Sequence, residues 1–132
     1  MSSAIQDVFY YYGDCPGEWR KIYVCSPYAG DTKKNVEAAR GYCRYVLAEG
    51  GIPIAPHLLF PQFMDDNDED ERELGLIFAK LLLKQCDEVW VFGDHISKGM
   101  FGECRLAILL NKKMQFFNSE CEETTAQWLL ED

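Results

Sequence analysis

The sequence lacks the features that mark several large classes of protein. Its 13 basic residues stand against 22 acidic ones, for a net charge of −9, and this balance argues against binding to the phosphate backbone of a nucleic acid. It has no apolar run of about 18 residues that would cross a membrane, and its first residues lack the basic and apolar regions of a signal peptide. With 2 histidines and no Cys-x-x-Cys pair, neither a metal nor another cofactor is expected.

The cysteines are few and widely spaced, since no two of the six lie closer than ten residues apart. Four of them fall within apolar patterns: Cys25, Cys43, Cys86 and Cys104. Such cysteines are typical of free thiols packed in the core of a cytoplasmic protein. With 132 residues, of which 48% are hydrophobic, the chain can form one domain with a normal core. We therefore expect a cytoplasmic protein with a single domain over residues 21–132, preceded by an N-terminal arm over residues 1–20.

Apolar runs and helical patterns alternate along the chain. Short apolar runs predict strands at residues 21–25, 52–55, 88–92 and 113–117. Helical spacing of apolar residues predicts helices at about 31–49, 70–85 and 99–110, and a short closing helix at 122–130. Strands that alternate with helices favour a parallel sheet covered on both faces. We therefore expect a three-layer α/β/α sandwich, flavodoxin-like or Rossmann-like, with about four to five strands.

Three loops should meet at one edge of this sheet, because open α/β sheets bind ligands outside the carboxyl ends of their strands. These loops are residues 26–31, 56–65 and 93–99. The first offers the hydroxyls of Ser26 and Tyr28, the turn residue Gly30, and Asn35 on the next helix. Such a loop either binds an anion at the helix N-terminus or is an ordinary capped turn. No Gly-x-Gly-x-x-Gly or Walker pattern is present, so neither a dinucleotide fingerprint nor a P-loop is supported.

The second loop ends in an acidic run over residues 65–73. A calcium-binding loop needs glycine at its sixth position, where this run has Asp70. A solvated loop that leads into an acid-rich helix is the simpler interpretation. Asp65, next to the apolar part of the loop, is the residue best placed to reach the crevice. Glu71 and Arg72 are either further polar residues of the site or a surface pair.

The third loop contains Asp94, His95 and Ser97, and Glu103 follows at the start of the next helix. A histidine directly after a strand can act as a general acid or base, but no serine or cysteine nucleophile is paired with it. Ser97 lacks the Gly-x-Ser-x-Gly context of a hydrolase and can instead cap the helix. Glu103 is either a carboxylate stabilised by the helix dipole or a nucleophile or base at the ligand crevice.

Several segments together resemble the nucleoside 2-deoxyribosyltransferase-like superfamily, and most closely its small uncharacterised bacterial and phage members. These segments are residues 22–28, Asn35, and residues 50–57, 86–91 and 99–103. After its third core strand the superfamily has a Ser-Gly-Thr-x-x-Glu motif, with an alanine four residues beyond the glutamate. Gly99, Glu103 and Ala107 keep this spacing. The resemblance covers residues 21–117, which is most of the chain.

The resemblance implies that Glu103 is a nucleophile that attacks C1′ of a nucleoside and forms a glycosyl-enzyme, from which a second base or water takes the sugar. It also implies that Tyr23 positions Glu103 and that Ser26 lies near the 5′ end of the sugar. Asp65 and Asp94 would contact a sugar hydroxyl and the base, respectively. The other residues expected to bind ligand are Tyr28, Gly30, Asn35, His57, Ser97, Gly99 and Met100.

The motif departs from the superfamily at three positions. Met100 replaces the threonine, Lys98 replaces a small residue, and Arg105 replaces a glycine. The added positive charge fits a phosphorylated ligand. A second interpretation of these departures is that the protein has lost catalysis. Three functions remain open: an N-glycosidic-bond enzyme (transferase or hydrolase) for a nucleoside or its 5′-monophosphate, a non-catalytic module that senses or sequesters a nucleotide, and an interaction scaffold. Relatives of this kind form dimers or larger assemblies, so a homo-oligomer is expected.

Overall fold

The computed structural model describes residues 19–125, so the predicted arm over residues 1–20 lies outside the described residues except for its last two. The strands are β1 (Lys21–Cys25), β2 (Ile52–Ile54), β3 (Glu88–Phe92), β4 (Lys113–Phe117) and β5 (Glu123–Thr124). The helices are α1 (Thr32–Ala48), α2 (Pro56–Leu59), α3 (Glu69–Gln85) and α4 (Lys98–Leu109), with a 3₁₀ turn at Phe60–Gln62. None of the helices in this part of the chain has the length and hydropathy needed to cross a membrane.

The strands form one sheet in the order β2-β1-β3-β4-β5, with β1 to β4 parallel and β5 antiparallel to β4. Helix α1 packs on one face of the sheet, and α3 and α4 pack on the other. This arrangement confirms the predicted three-layer α/β/α sandwich. Strands β2 and β3 are the two neighbours of β1 in the sheet, so the chain passes first to one side of β1 and later to the other. The carboxyl ends of β1 and β3 therefore border the crevice where such sheets bind ligands.

Three polar side chains fix the loops at this edge because each caps a helix. The carboxylates of Asp31 and Asp68 accept hydrogen bonds from backbone N–H groups in the first turns of α1 and α3, at 3.3 Å and 2.9 Å. The hydroxyl of Ser97 does the same for α4 at 3.3 Å. Capping satisfies N–H groups that have no partner within the helix. Each helix therefore begins at a defined residue, and the loop before it is held in place.

The structure differs from the predicted elements in two places. Strand β2 ends at Ile54, and the expected loop continues as α2 and the 3₁₀ turn, because Pro56 is suited to the first turn of a helix. The predicted closing helix does not begin at residue 122. A turn held by the hydrogen bond from Asn118 N to Glu122 O, at 2.9 Å, returns the chain so that Glu123–Thr124 pairs with β4. Residues 126–130 of that prediction lie outside the described residues.

Candidate active site

A cleft of about 300 Å³ opens beyond the carboxyl ends of β1 and β3. Its walls come from the loops after β1 and β3, from α2 and the segment after it, and from one side of α3. Eight of the sequence-predicted site residues line it: Ser26, Tyr28, His57, Asp65, Ser97, Gly99, Met100 and Glu103. A cleft of this size is large enough for a small organic ligand.

The carboxyl group of Glu103 is the most unusual feature of the cleft. Glu103 is the sixth residue of α4, so it lies in the second turn rather than the first. Its side chain is only 7% exposed, and its Oε2 atom has no hydrogen-bond partner among the described residues. Burial in a poorly solvated place disfavours the charged form and raises the pKa of Glu103 from 4.5 to about 7. The carboxyl group is therefore poised between its two protonation states near neutral pH.

Three groups near Glu103 oppose the effect of burial. The thiol of Cys25, the hydroxyl of Tyr23 and the positive charge of Lys80 each lower the pKa of Glu103, in that order of effect. The pKa of Tyr23 is itself raised, first by complete burial and then by the nearby carboxyl. The Tyr23 hydroxyl lies near the Glu103 carboxyl but forms no full hydrogen bond with it. Tyr23 is thus placed below the cleft, where it can orient the carboxyl.

A flat wall is formed by Tyr28 and His57. Their rings are stacked, with centroids 4.7 Å apart and planes inclined by 20°. Burial lowers the pKa of His57, and the opposing effect of the Asp66 carboxylate is smaller. The imidazole is therefore neutral at pH 7, so the pair presents an uncharged aromatic surface. Such a surface suits a planar ring in a ligand.

The rim of the cleft carries charges of both signs. Asp65, Asp66 and Glu71 stand with Arg72 and Lys98 among the residues that line it. The backbone N–H of Asp65 donates to Oε1 of Glu71 at 3.3 Å, which ties the acidic loop to α3. Glu71 and Arg72 are therefore residues of the cleft and not merely a surface pair. Carboxylates on this rim can accept hydrogen bonds from hydroxyl or amine groups, and the cations can pair with an anion.

Gly30 and Asn35 were predicted to bind ligand, but the structure does not bring them into the cleft. The Asn35 amide instead donates to the backbone oxygens of Tyr28 and Ala29, at 3.0 Å and 3.1 Å. Gly30 has a φ of +97°, a left-handed conformation in which a side chain would be strained, and it lets the loop turn. Both residues therefore shape the loop after β1, which carries Tyr28 into the wall of the cleft.

Asp94 also lies away from the cleft. It is exposed, and its carboxylate accepts hydrogen bonds from the backbone N–H and the hydroxyl of Ser119, at 3.1 Å and 3.0 Å. These two bonds hold the pKa of Asp94 below its usual value. His95 is exposed and does not line the cleft, and the guanidinium of Arg105 stands over the ring of Phe101 at 6.0 Å. Of the two basic departures from the motif, only Lys98 contributes to the cleft.

The sequence interpretation missed several residues that shape the site. Cys25 was assigned to the core, and it is buried there, but its thiol also faces the carboxyl of Glu103. Lys80 follows Leu76, which lines the cleft, by one helical turn, and that spacing was the available signal. Asp66 was also missed, as were the apolar residues Phe60, Pro61 and Met64. Within residues 19–125 no three His, Cys, Asp or Glu side chains are grouped as metal ligands.

Comparison with known proteins gives one family and one related fold. Residues 20–117 match the family described as a domain of unknown function, DUF7768. No curated protein sequence matches the chain. Among solved structures, a 2-deoxyribosyltransferase from the psychrotolerant bacterium Bacillus psychrosaccharolyticus superposes with a TM-score of 0.61 and 19% sequence identity. The match covers 84% of this chain and 80% of the other. At this identity the likeness establishes a shared fold.

Proposed function

The chain belongs to the DUF7768 family of domains of unknown function, and we propose that it is an enzyme that cleaves the N-glycosidic bond of a nucleoside or nucleoside 5′-monophosphate. Glu103 is its nucleophile and Tyr23 its positioning residue. The observation that carries the proposal is the Glu103 carboxyl, which is buried at the cleft with one oxygen unpartnered. A buried carboxyl without a partner costs stability, so its place beside a ligand-sized cleft favours a chemical role.

The reaction proceeds in two displacements at C1′ of the sugar. The ionised carboxylate of Glu103 attacks C1′ and forms an ester as the bond from C1′ to the base nitrogen breaks. The base leaves with the bonding electrons and takes a proton from water. A second base or a water molecule then attacks C1′, loses its proton to solvent and releases the carboxylate of Glu103. Two displacements at one carbon retain its configuration, as in retaining glycosidases.

The remaining cleft residues fit the parts of such a substrate. The stacked rings of Tyr28 and His57 suit a planar base. The carboxylates of Asp65 and Asp66 are suited to sugar hydroxyls or to amines of the base. Ser26 and Lys98 are suited to the 5′ end of the sugar, where a phosphate would require a hydroxyl donor and a cation. Asp94 has no place in this proposal because its carboxylate is held by Ser119 outside the cleft.

One observation favours a second function, a non-catalytic module that binds a nucleotide. The superfamily motif has a threonine hydroxyl at the position of Met100. In this chain the side chain of Met100 is buried, and its sulfur accepts a hydrogen bond from the backbone N–H of Ser97 at 3.4 Å. A cleft without this hydroxyl retains its aromatic wall and its charges, which are sufficient for binding.

The test is a base-release assay with the wild-type chain and Glu103→Gln. Nucleosides, deoxynucleosides and their 5′-monophosphates are supplied with and without an acceptor base. We expect turnover that Glu103→Gln reduces at least about 1,000-fold, because the amide cannot form the ester. The exposed change Glu37→Gln, on the opposite side of the sheet, is the matched control and should leave turnover unchanged. Mass spectrometry of quenched enzyme should find a glycosyl group on the peptide that contains Glu103.

The pH dependence gives an independent check. Only ionised Glu103 can attack, so kcat/KM should rise with pH to a plateau, with a midpoint near the pKa of about 7. Saturable nucleotide binding without turnover in any arm would support the second function instead. Neither turnover nor thermal stabilisation by any compound of the panel would contradict both.

A further inference from the structure

The side chain of Cys25 lies against the part of α4 that carries Glu103. Cys25 is the last residue of β1, and the alternation of side chains along a strand places it on the same face of the sheet as Tyr23. Both pack with Met100 in the core on that face, and both are fully buried. The sulfur of Cys25 is 4.0 Å from the backbone oxygen of Met100, which precedes Glu103 by one helical turn.

The thiol of Cys25 keeps its proton. The neighbouring thiol of Cys104, burial and the Glu103 carboxyl, in that order, raise the pKa of Cys25 well above its usual value. A protonated thiol is a poor nucleophile, so Cys25 does not compete with Glu103 for C1′. It is instead an uncharged hydrogen-bond donor. Cys25 is not among the residues that line the cleft, so it acts on a ligand only through Glu103.

The two oxygen acceptors beside this thiol differ in strength. The backbone oxygen of Met100 lies within α4, where it accepts the N–H of Cys104 as part of the helix. Its contact with Cys25 is long, so it holds the S–H weakly. Oε2 of Glu103 has no hydrogen-bond partner within residues 19–125. Once ionised, the carboxylate is the stronger acceptor, because hydrogen bonds to a charged group are about twice as strong as those between neutral groups.

The other groups that face Glu103 do not supply a full hydrogen bond to Oε2. The Tyr23 hydroxyl forms no full hydrogen bond with the carboxyl. Lys80 acts from the exposed side of α3, where solvent screens its charge. A buried carboxylate without a donor is costly, so the ionised form of Glu103 requires one. Cys25 is the neighbour that can provide it.

We propose that Cys25 is a positioning residue whose S–H turns from the backbone oxygen of Met100 to Oε2 of Glu103 when that carboxyl is ionised. In the proposed enzymatic function, on which this role rests, the hydrogen bond holds the carboxylate in place for attack on C1′. It weakens when Glu103 becomes an ester and forms again as the second displacement releases the carboxylate. No proton is transferred, and the thiol stays neutral throughout. The second displacement gains most, because negative charge develops on Glu103 in that step.

The direct test is the S–H stretching band of the full chain in infrared spectroscopy, which needs no turnover. The band of Cys25 is the one that Cys25→Ser removes. Raising the pH from about 5 to about 9 should move this band to lower wavenumber as Glu103 ionises, because the S–H then donates to a charged acceptor. In Glu103→Gln the band should stay in place over the same range. A Cys25 band that does not move in the wild-type chain overturns the proposal.

The kinetics of two substitutions test the role of Cys25 in the reaction. Cys25→Ala removes the donor, so the midpoint of kcat/KM against pH should rise by about half a pH unit, and more glycosyl-enzyme should accumulate. Cys25→Ser retains a donor and should restore both readouts. Cys43→Ala, the same change at a cysteine on the other face of the sheet, should leave both unchanged. If Cys25→Ala and Cys25→Ser give the same midpoint and the same level of glycosyl-enzyme, Cys25 only packs and the proposal is overturned.

The infrared and kinetic readouts separate this proposal from the enzymatic one. Turnover that depends on Glu103, together with a Cys25 band that does not move, overturns the role of Cys25 alone. A band that moves with pH, without turnover of any compound, supports the hydrogen bond and overturns the enzymatic function. Circular dichroism establishes that each variant is folded.

Discussion

The two faces of the sheet are built from different kinds of side chain. The face under α1 buries a stack of aromatic rings, in which Phe92 lies 4.5 Å from Tyr42 and 5.0 Å from Phe117. The face under α3 and α4 buries polar groups, of which the Tyr23 hydroxyl and Oε2 of Glu103 have no partner within residues 19–125. Both faces bury apolar side chains that stabilise the fold, whereas the face under α3 and α4 also gives up stability to hold an unpartnered carboxyl beside a cleft.

The largest effect on stability should follow from Phe92→Ala, which removes the central ring of the face under α1, here called the aromatic face. The cavity it leaves should lower the free energy of unfolding by about 3 to 5 kcal/mol. Urea unfolding followed by tryptophan fluorescence measures this loss. A loss below about 1 kcal/mol would mean that the aromatic face is not the main source of stability.

The second prediction concerns pH and the Glu103 carboxyl. Between its unfolded pKa near 4.5 and its folded pKa of about 7, the folded chain holds one more proton than the unfolded chain. The contribution of Glu103 to stability is therefore present below pH 4.5 and is lost as pH rises through 7, by about 3 kcal/mol. Relative to the wild type, Glu103→Gln should gain stability over this range, whereas Glu37→Gln should not. If the free energy of unfolding changes with pH in the same way for all three proteins, the raised pKa of Glu103 is contradicted.

A smaller effect should follow from Tyr23→Phe. This change deletes a buried hydroxyl that has no full hydrogen bond, so the free energy of unfolding at pH 5 should change by no more than about 1 kcal/mol. Because the hydroxyl lowers the pKa of Glu103, its loss should move the midpoint of the pH–rate profile upward. A purely structural role for Tyr23 would alter stability and leave that midpoint in place.

The smallest effect is expected from Lys80→Gln. Lys80 is exposed, so the free energy of unfolding at pH 5 should change by less than about 0.5 kcal/mol. Its positive charge lowers the pKa of Glu103, so the pH midpoint should rise, and added salt should reduce the difference from the wild type. Lys34→Gln, an exposed change on α1, serves as the control. If the pH–rate profiles of Lys80→Gln and Lys34→Gln have the same midpoint at low salt, an influence of Lys80 on the pKa of Glu103 is excluded.

The periodicity of the sequence was sufficient to predict most of the fold. Strands β1, β3 and β4 lie at their predicted ranges. Strands β1 and β3 are almost fully buried, and buried parallel strands are continuously hydrophobic. The three long helices follow from apolar spacing, and the structure adds the residues that cap them, Asp31, Asp68 and Ser97. Strand β5 could not be predicted in this way, since a two-residue edge strand has no periodicity and depends on the turn that begins at Asn118.

The sequence by itself determined which chemical groups are present and that the loops after β1, β2 and β3 meet at one edge. Only the tertiary structure decided which side chains enter the cleft. Asn35 and Asp94 are polar and follow strands, yet each forms hydrogen bonds elsewhere. Cys25 and Lys80 reach Glu103 from β1 and α3, elements far apart in the chain. The raised pKa of Glu103 likewise depends on burial by residues distant in sequence, because desolvation is a property of the packed chain and not of any local pattern.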